Sequence, residues 1–256
     1  MLTVGISLKA YFGYRETLGW CEAIGDLAAT NPAVGTAVRL VVFPSLPALA
    51  PCAAILSNTP VEIGAQTVSS NGYGAYTGEV PGPMLAELGC QYAEIGHAER
   101  RARYGETPEV VRRKVAAASR AGLKPWLCVG ESTRCAAESA RHETAEQVRD
   151  SGLLEVCPHG SVIAYEPVWA IGQDAPADPE HVREVCDGLR RDVGPQTEII
   201  YGGSAGPGTL TSLYPAVNGL FLGRFAHDPA RVGQVLAEVE QLAQRPTAEV
   251  TGQRKP

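Results

Sequence analysis

The chain contains eight short apolar runs, separated by stretches with helical periodicity. Each run is rich in β-branched or aliphatic residues, which is typical of β-strands. The runs lie at 2–8, 38–44, 61–66, 92–97, 124–129, 161–166, 197–202 and 219–223. They are almost continuously apolar and do not alternate with polar residues, and this pattern predicts a parallel sheet whose outer face is covered.

Between the strands, apolar residues recur at the spacing of amphipathic helices. The three clearest stripes are Leu18, Cys21, Ile24 and Leu27; Val111, Val115 and Ala118; and Val182, Val185, Cys186 and Leu189. Two helix starts are also marked. Asp178-Pro179 and Asp228-Pro229 each place a capping Asp before a Pro at the first helical position, where the missing N–H costs nothing.

Eight strands that alternate with helices within about 240 residues favour closure into a (β/α)8 barrel over an open sheet. No Pro- or Gly-rich linker divides the chain, so we predict one α/β domain over residues 1–243. The polar segment 244–256 contains two Pro and no apolar periodicity. We expect this C-terminal tail to be frayed and without a function.

Composition narrows the function classes. A chain of 256 residues with 45% hydrophobic content is long enough to bury a large core within one domain. Its seven cysteines are odd in number and never spaced as C-x-x-C, which argues against a disulfide framework and against a thiolate zinc site. We expect reduced thiols and a cytoplasmic location.

Membranes and nucleic acids are not expected partners. No secretory signal pattern opens the chain, and no apolar run approaches the roughly 18 residues that cross a bilayer. The formal charge of -6 disfavours nucleic acid, because binding to it depends on clustered Lys and Arg. If the ligand is an anion, groups within its binding site must therefore balance its charge.

Three polar residues follow different predicted strands and suit proton transfer beside a carbonyl. Lys9 closes the first strand, His97 the fourth and Glu166 the sixth. In a (β/α)8 barrel these strand ends meet at one mouth. There a Glu can abstract a proton, a His can polarise an oxygen and a Lys can neutralise charge. Taken singly, Lys9 fits a surface lysine and His97 a structural histidine, but their joint placement favours a catalytic site.

The surroundings of Glu166 support its role as a base. It precedes Pro167 and the apolar segment 168–171, which can fold over the site and desolvate the carboxylate. Glu94 breaks the apolar pattern of its strand. It lies on the opposite face from His97, and we expect it to pair with a nearby Lys or Arg.

Glycine-rich turns follow the last three strands. Gly172, Gly202-Gly203-Ser204 and Gly223 let backbone N–H groups approach an anion, as at phosphate sites of such barrels. The alternative is that these are ordinary turn glycines. No set of His, Asp, Glu or Cys residues has the spacing of metal ligands, so we expect neither a metal nor another cofactor.

Six segments, in order, resemble the triosephosphate isomerase family over almost the whole chain. They are 64–66, 74–80, 96–97 together with 99–101, 104–107, 128–131 and 164–172. The resemblance implies that Glu166 is the base, His97 a neutral electrophile and Lys9 the cation beside an enediolate. It also implies that Glu99 assists as a neighbouring carboxylate.

The resemblance further implies a homodimer. The loop 74–79 would project into the neighbouring subunit, with Thr77 reaching the partner's Lys9 region. The alternative is a solvent-exposed Gly-rich turn. We favour the interface, because a long loop with an aromatic residue at its tip is otherwise unexplained.

Four departures from the family's pattern lie in or beside the site. Ser7 replaces an Asn and Ala98 replaces a Ser. The sequence after Gly172 is Gln-Asp-Ala-Pro over 173–176 in place of Thr-Gly-Lys. In the eighth loop Gly-Gly becomes Gly223-Arg224, where the arginine either clamps a phosphate or fills the space of a backbone contact. Drift in a redundant copy is the alternative explanation for all four.

Three functions follow from the resemblance and its departures. The first is an aldose–ketose isomerase that interconverts dihydroxyacetone phosphate and glyceraldehyde 3-phosphate in glycolysis and gluconeogenesis. The second is an isomerase of a four-carbon sugar phosphate such as erythrulose phosphate, in sugar-alcohol catabolism. The third is a catalytically silent barrel that binds a phosphorylated metabolite. The intact Lys9, His97 and Glu166 argue against the third.

Overall fold

The computed structural model describes residues 1–157 and 159–244. Eight parallel strands close into a barrel in the order in which they occur along the chain. They are β1 (Leu2–Ser7), β2 (Val38–Phe43), β3 (Val61–Ala65), β4 (Tyr92–Ile95), β5 (Lys124–Val129), β6 (Val162–Tyr165), β7 (Glu198–Tyr201) and β8 (Gly219–Leu222). The predicted (β/α)8 barrel is confirmed. The expected frayed tail lies outside the described residues except for Gln244.

Helices surround the barrel. They are α1 (Tyr14–Thr30), α2 (Leu49–Leu56), α3 (Gly82–Glu87), α4 (Ala98–Tyr104), α5 (Pro108–Arg120), α6 (Ala137–Ser151), α7 (Leu153–Val156), α8 (Pro179–Val193), α9 (Thr209–Leu213) and α10 (Pro229–Ala243). Three 3₁₀ turns lie at Leu46–Ala48, Val168–Ala170 and Arg224–His227. In the described part of the chain, no helix is long and apolar enough to cross a membrane.

Aromatic side chains fill the barrel interior. The Trp126 ring packs edge-on against Tyr92 and Phe43, with ring centroids 5.5 and 5.0 Å away. Glycines on β1 and β3 make room for these rings, since a Cβ atom at Gly5 would lie 2.3 Å from Trp126 and one at Gly64 equally close to Phe43. The interior is therefore a packed core and not a channel.

The two marked helix starts are confirmed. The Asp178 carboxylate accepts a hydrogen bond from the Glu180 N–H at 2.9 Å, and Asp228 accepts one from the Ala230 N–H at the same distance. Each cap satisfies an N–H group that has no partner within its helix. Both helices begin where the Asp-Pro pattern predicts.

The apolar stripes in α5 and α8 are buried as predicted, whereas the buried face of α1 is rotated from the predicted stripe. Trp20 and Ala28 are buried, while Leu18 and Leu27 are only half-buried. The cause is tertiary. The Trp20 Nε1–H donates to the Ala226 carbonyl at 2.9 Å, which turns this face of α1 toward the loop after β8.

Candidate active site

A cavity of about 920 Å³ opens at the mouth where the strands have their carboxyl ends. Most of the predicted site residues line it, from loops that follow five different strands. These residues are Ser7, Lys9, His97, Glu99, Glu166, Gly172, Ser204, Gly223 and Arg224. Thr77 does not line this cavity and is exposed in the loop between β3 and α3.

Lys9 adopts a backbone conformation that is rare for a residue with a side chain, with φ at 50°. The Gln66 amide holds this turn by donating to the carbonyls of Lys9 at 3.0 Å and Phe43 at 2.9 Å. The Lys9 ammonium lies 2.9 Å from a Glu99 carboxylate oxygen. Although burial opposes it, the hydrogen bond and charge of Glu99 raise the pKa of Lys9, so the group is cationic. Sequence reasoning gave Gln66 no role, because its partners, Lys9 and Phe43, are distant from it in sequence.

His97 is held as a neutral ring. It caps α4, and its Nδ1 atom accepts a hydrogen bond from the Glu99 N–H at 3.2 Å. Since Nδ1 accepts, Nε2 carries the proton of the neutral imidazole. Burial and the nearby Lys9 charge lower the pKa of His97 to about 4. At neutral pH the ring can therefore donate a hydrogen bond without being a cation.

Glu166 is a buried carboxyl, with 3% of its surface exposed. Burial, followed by the negative charge of Glu94, raises its pKa to about 8. Its Oε2 atom has no hydrogen-bond partner among the described residues. A Cβ atom at position 202 would lie 2.7 Å from its Oε1 atom, so Gly202 makes room for the carboxyl. A desolvated carboxyl with an unpaired oxygen is suited to abstracting a proton.

Glu94 accepts its hydrogen bond from a different partner than expected. It is buried, and its Oε2 atom accepts from the Ser7 hydroxyl at 2.9 Å, so the hydrogen-bond partner on the opposing strand is a hydroxyl and not a cation. Burial raises the pKa of Glu94 to about 7. The left-handed turn at Gly96, with φ at 71°, follows Glu94 and precedes His97, which lines the cavity. A period-two pattern does not anticipate this turn.

The segment after β6 is anchored to Glu131, which sequence reasoning quoted only as part of a family segment. The Trp169 indole donates to the Glu131 carboxylate at 2.8 Å, and the Val168 N–H donates to its carbonyl at 3.0 Å. The Tyr165 hydroxyl and the His181 ring also contact this carboxylate. The signal in the sequence was an acidic residue two positions after the end of an apolar strand.

The glycine-rich turns converge at the other end of the cavity. Arg224 reaches across from the eighth loop, and its Nη2 atom donates to the Gly172 carbonyl at 2.7 Å. The Ser204 N–H donates to the Ala170 carbonyl at 3.3 Å. The loops after β7 and β8 thus both contact the segment after β6. Within residues 1–157 and 159–244, no group of three or more His, Cys, Asp or Glu side chains is arranged to hold a metal ion.

The sequence is similar to those of known isomerases over most of its length. The family model described as triosephosphate isomerase matches residues 2–239. An L-erythrulose-1-phosphate isomerase of Pectobacterium atrosepticum is 46% identical over 251 residues, covering 94% of this chain and 97% of that protein. A protein of the same name from Mycolicibacterium smegmatis is 39% identical and covers 88% of each chain. A triosephosphate isomerase of Alkalilimnicola ehrlichii is 41% identical over 76% of this chain and 83% of its own length.

Proposed function

The chain belongs to the triosephosphate isomerase family, and from that premise we propose that it isomerises a four-carbon ketose phosphate, L-erythrulose 1-phosphate. Family membership makes it an isomerase. The choice of substrate is supported by the two relatives with that name, which cover more of the chain than the triosephosphate isomerase from Alkalilimnicola ehrlichii does.

One observation carries the choice of substrate. Ser7 and Ala98 both line the cavity, and each is smaller than the Asn or Ser in the family's pattern. L-Erythrulose 1-phosphate is dihydroxyacetone phosphate with an added hydroxymethyl group on the carbon that loses its proton. The two smaller side chains lie beside the catalytic His97 and Lys9, where that added group needs space.

The constitution of this substrate decides which carbons react. C1 carries the phosphate ester, so C3 is the only neighbour of the C2 carbonyl that bears a free hydroxyl. Removing the C3 proton gives an enediolate across C2 and C3, and returning a proton to C2 gives a tetrulose 4-phosphate. The reaction uses the family's enediolate chemistry, and both its substrate and its product are ketoses.

Each catalytic residue has a role in this mechanism. The Glu166 carboxylate takes the proton from C3 and delivers it to C2. The His97 Nε2–H polarises the carbonyl oxygen and moves protons between the two oxygens, while Lys9 neutralises the negative charge of the enediolate. Glu99 holds Lys9 in place through their ion pair at 2.9 Å.

The phosphate would bind at the opposite end of the cavity. The turns at Gly172, Ser204 and Gly223 supply backbone N–H groups, and Arg224 supplies a guanidinium. One of its five donors is used by the Gly172 carbonyl, which leaves others for phosphate oxygens. Bound phosphate would then be linked through Arg224 to the segment that covers the site.

The test is an isomerase assay of the purified protein with L-erythrulose 1-phosphate, dihydroxyacetone phosphate, glyceraldehyde 3-phosphate and five-carbon ketose phosphates. We expect kcat/KM to be highest for the four-carbon substrate. A preference for the three-carbon substrates would instead support triosephosphate isomerase activity, which the Alkalilimnicola ehrlichii relative favours. Absence of turnover on every substrate would support the silent metabolite-binding barrel.

A homodimer in the cytoplasm is part of the same proposal. Tyr73 and Tyr76 are 62% and 47% exposed in the loop that also carries Thr77, and a partner subunit would cover them. All seven cysteines are free thiols, which suits a reducing compartment. Light scattering of the parent and of Thr77→Arg tests the dimer. We expect twice the chain mass for the parent and dissociation of the variant, and a monomeric parent would contradict the dimer.

A further inference from the structure

Ser7, which lines the cavity, and Glu94, which lies behind it, form a hydrogen-bonded pair. The two residues are 87 positions apart in sequence, and the Ser7 Oγ–H donates to the Glu94 Oε2 atom at 2.9 Å. Both are buried, yet Ser7 also lines the cavity. A buried carboxyl therefore lies directly behind a hydroxyl that faces the substrate.

The polarity of this hydrogen bond decides what Ser7 offers to a ligand. An ionised carboxylate only accepts hydrogen bonds, so the single Ser7 proton is directed to Glu94. The lone pairs of the Ser7 oxygen are not used in this bond, so the oxygen can accept a hydrogen bond from the cavity. The Asn of the family's pattern differs because its amide also supplies two donors.

We propose that Ser7 and Glu94 are a specificity-determining pair, in which the Ser7 oxygen accepts a hydrogen bond from the terminal hydroxyl of the four-carbon substrate. Glu94 is the positioning residue, because it fixes Ser7 as an acceptor. The inference rests on the proposed function, since dihydroxyacetone phosphate lacks this additional hydroxyl. It goes further by assigning substrate choice to two named side chains.

The surroundings of Glu94 make its charge sensitive to pH. The charged and titratable groups that act on Glu94 come from four parts of the fold. They are Lys9 after β1, Glu99 and Arg100 in α4, Cys128 in β5 and Glu166 after β6. Burial outweighs the attraction of the two cations, and the pKa of Glu94 is raised to about 7. Above that pH the carboxylate holds Ser7 as an acceptor.

Below pH 7 the direction of the hydrogen bond between Ser7 and Glu94 reverses. A protonated Glu94 can donate its own proton to the Ser7 oxygen, and the Ser7 hydroxyl then turns its proton toward the cavity. Ser7 then presents a donor to the cavity in place of the acceptor that the proposal assigns to the terminal hydroxyl of the substrate. Preference for the four-carbon substrate is therefore expected above pH 7 and is lost as the pH falls through it.

The experiment measures the ratio of kcat/KM for L-erythrulose 1-phosphate to kcat/KM for dihydroxyacetone phosphate. Both substrates are phosphate monoesters that react through the same base, so titration of Glu166 and of the phosphate cancels in the ratio. We compare the parent with Ser7→Ala, Glu94→Leu and the double variant. Glu62→Leu is the control, because it removes a half-buried carboxylate from β3, nearer the amino-terminal end of the barrel.

We expect Ser7→Ala to lower this ratio about 10- to 100-fold and Glu94→Leu to lower it about 3- to 10-fold. In the Ser7→Ala background, Glu94→Leu should lower the ratio no further, because Glu94 acts through Ser7. The parent's ratio should rise with pH through about 7. That rise should be absent in Glu94→Leu and unchanged in Glu62→Leu.

The outcomes separate this inference from the proposed function. A parent that turns over L-erythrulose 1-phosphate while Ser7→Ala and Glu94→Leu keep its ratio would overturn the inference and leave the proposed function standing. A parent without activity on that substrate would overturn both. If Glu94→Leu does not fold, Ser7→Ala and the pH dependence of the parent's ratio decide the question.

Discussion

The Nε2 atom of His97 lies 3.5 Å from the Oε2 atom of Glu166, and both side chains are buried. The pair is not an ion pair at neutral pH, because the pKa of His97 is lowered to about 4. A neutral ring adds no positive charge that would weaken the neighbouring base. Glu166 therefore keeps its raised pKa while a hydrogen-bond donor lies beside it.

Replacement of Glu166 by Gln should remove most of the isomerase activity. The change deletes the base at nearly constant volume, and general-base catalysis contributes roughly 10²- to 10⁴-fold. Steady-state kcat on the best substrate measures the effect, with circular dichroism as a check on folding. Activity within a few-fold of the parent would show that another group is the base.

The pH dependence of kcat/KM should report Glu166. Its reactive form is the carboxylate, and its pKa is raised to about 8, so the rate should rise with pH and level off above 8. Ionisation of His97, near pH 4, should leave no inflection between pH 6 and 9. A profile that is flat across that range would contradict the assignment of the base.

Replacement of Arg224 by Gly should raise KM for the native substrate. A guanidinium that binds the unreactive phosphate contributes mainly to uniform binding, and a charged hydrogen bond of roughly 1.5–3 kcal/mol corresponds to about 10- to 150-fold in affinity. Arg224→Lys is the matched control, since it keeps the charge and loses the planar fork. We expect it to show an intermediate KM.

The glycine variant also restores the Gly-Gly turn of the family's pattern. Its activity on glyceraldehyde 3-phosphate should therefore hold or improve. If no kinetic constant changes for any substrate, Arg224 does not contact the phosphate, and its bond to the Gly172 carbonyl is its only role in the site.

Replacement of Glu94 by Leu should stabilise the protein at alkaline pH. The pKa of Glu94 is about 7 in the folded chain and near 4.5 in the unfolded chain. As the pH rises, the folded state therefore keeps this proton to a higher pH than the unfolded state does. Stability therefore falls as pH rises from about 4.5 to 7, and Leu does not share this loss. The gain is about 3 kcal/mol at most above pH 7.

Thermal melting of both proteins between pH 4 and 9 measures this effect. The difference in Tm between Glu94→Leu and the parent should be small near pH 4 and positive above pH 7. Ser7→Ala, which removes no ionisable group, provides the comparison. A difference in Tm that is independent of pH would mean that Glu94 is not a desolvated carboxyl.

Local patterns in the sequence determined most of the architecture. The eight apolar runs match the eight strands to within two residues at each end, and the Asp-Pro pairs mark the starts of α8 and α10. Strand and helix periodicity and capping are short-range properties, so they can be read without knowing the fold. The positions of Lys9, His97 and Glu166 at one mouth also followed, because a closed parallel barrel brings all its carboxyl ends together.

The tertiary structure decided the side-chain partners. Neither the bond from Ser7 to Glu94 nor the bond from Arg224 to Gly172, across 52 positions, is visible in a local pattern. Sequence reasoning assigned Glu94 a cation, because a buried carboxylate usually needs one. The two-residue period of a strand tells which face a side chain occupies, but the closure of the barrel and the turn at Gly96 determine which atom it meets there.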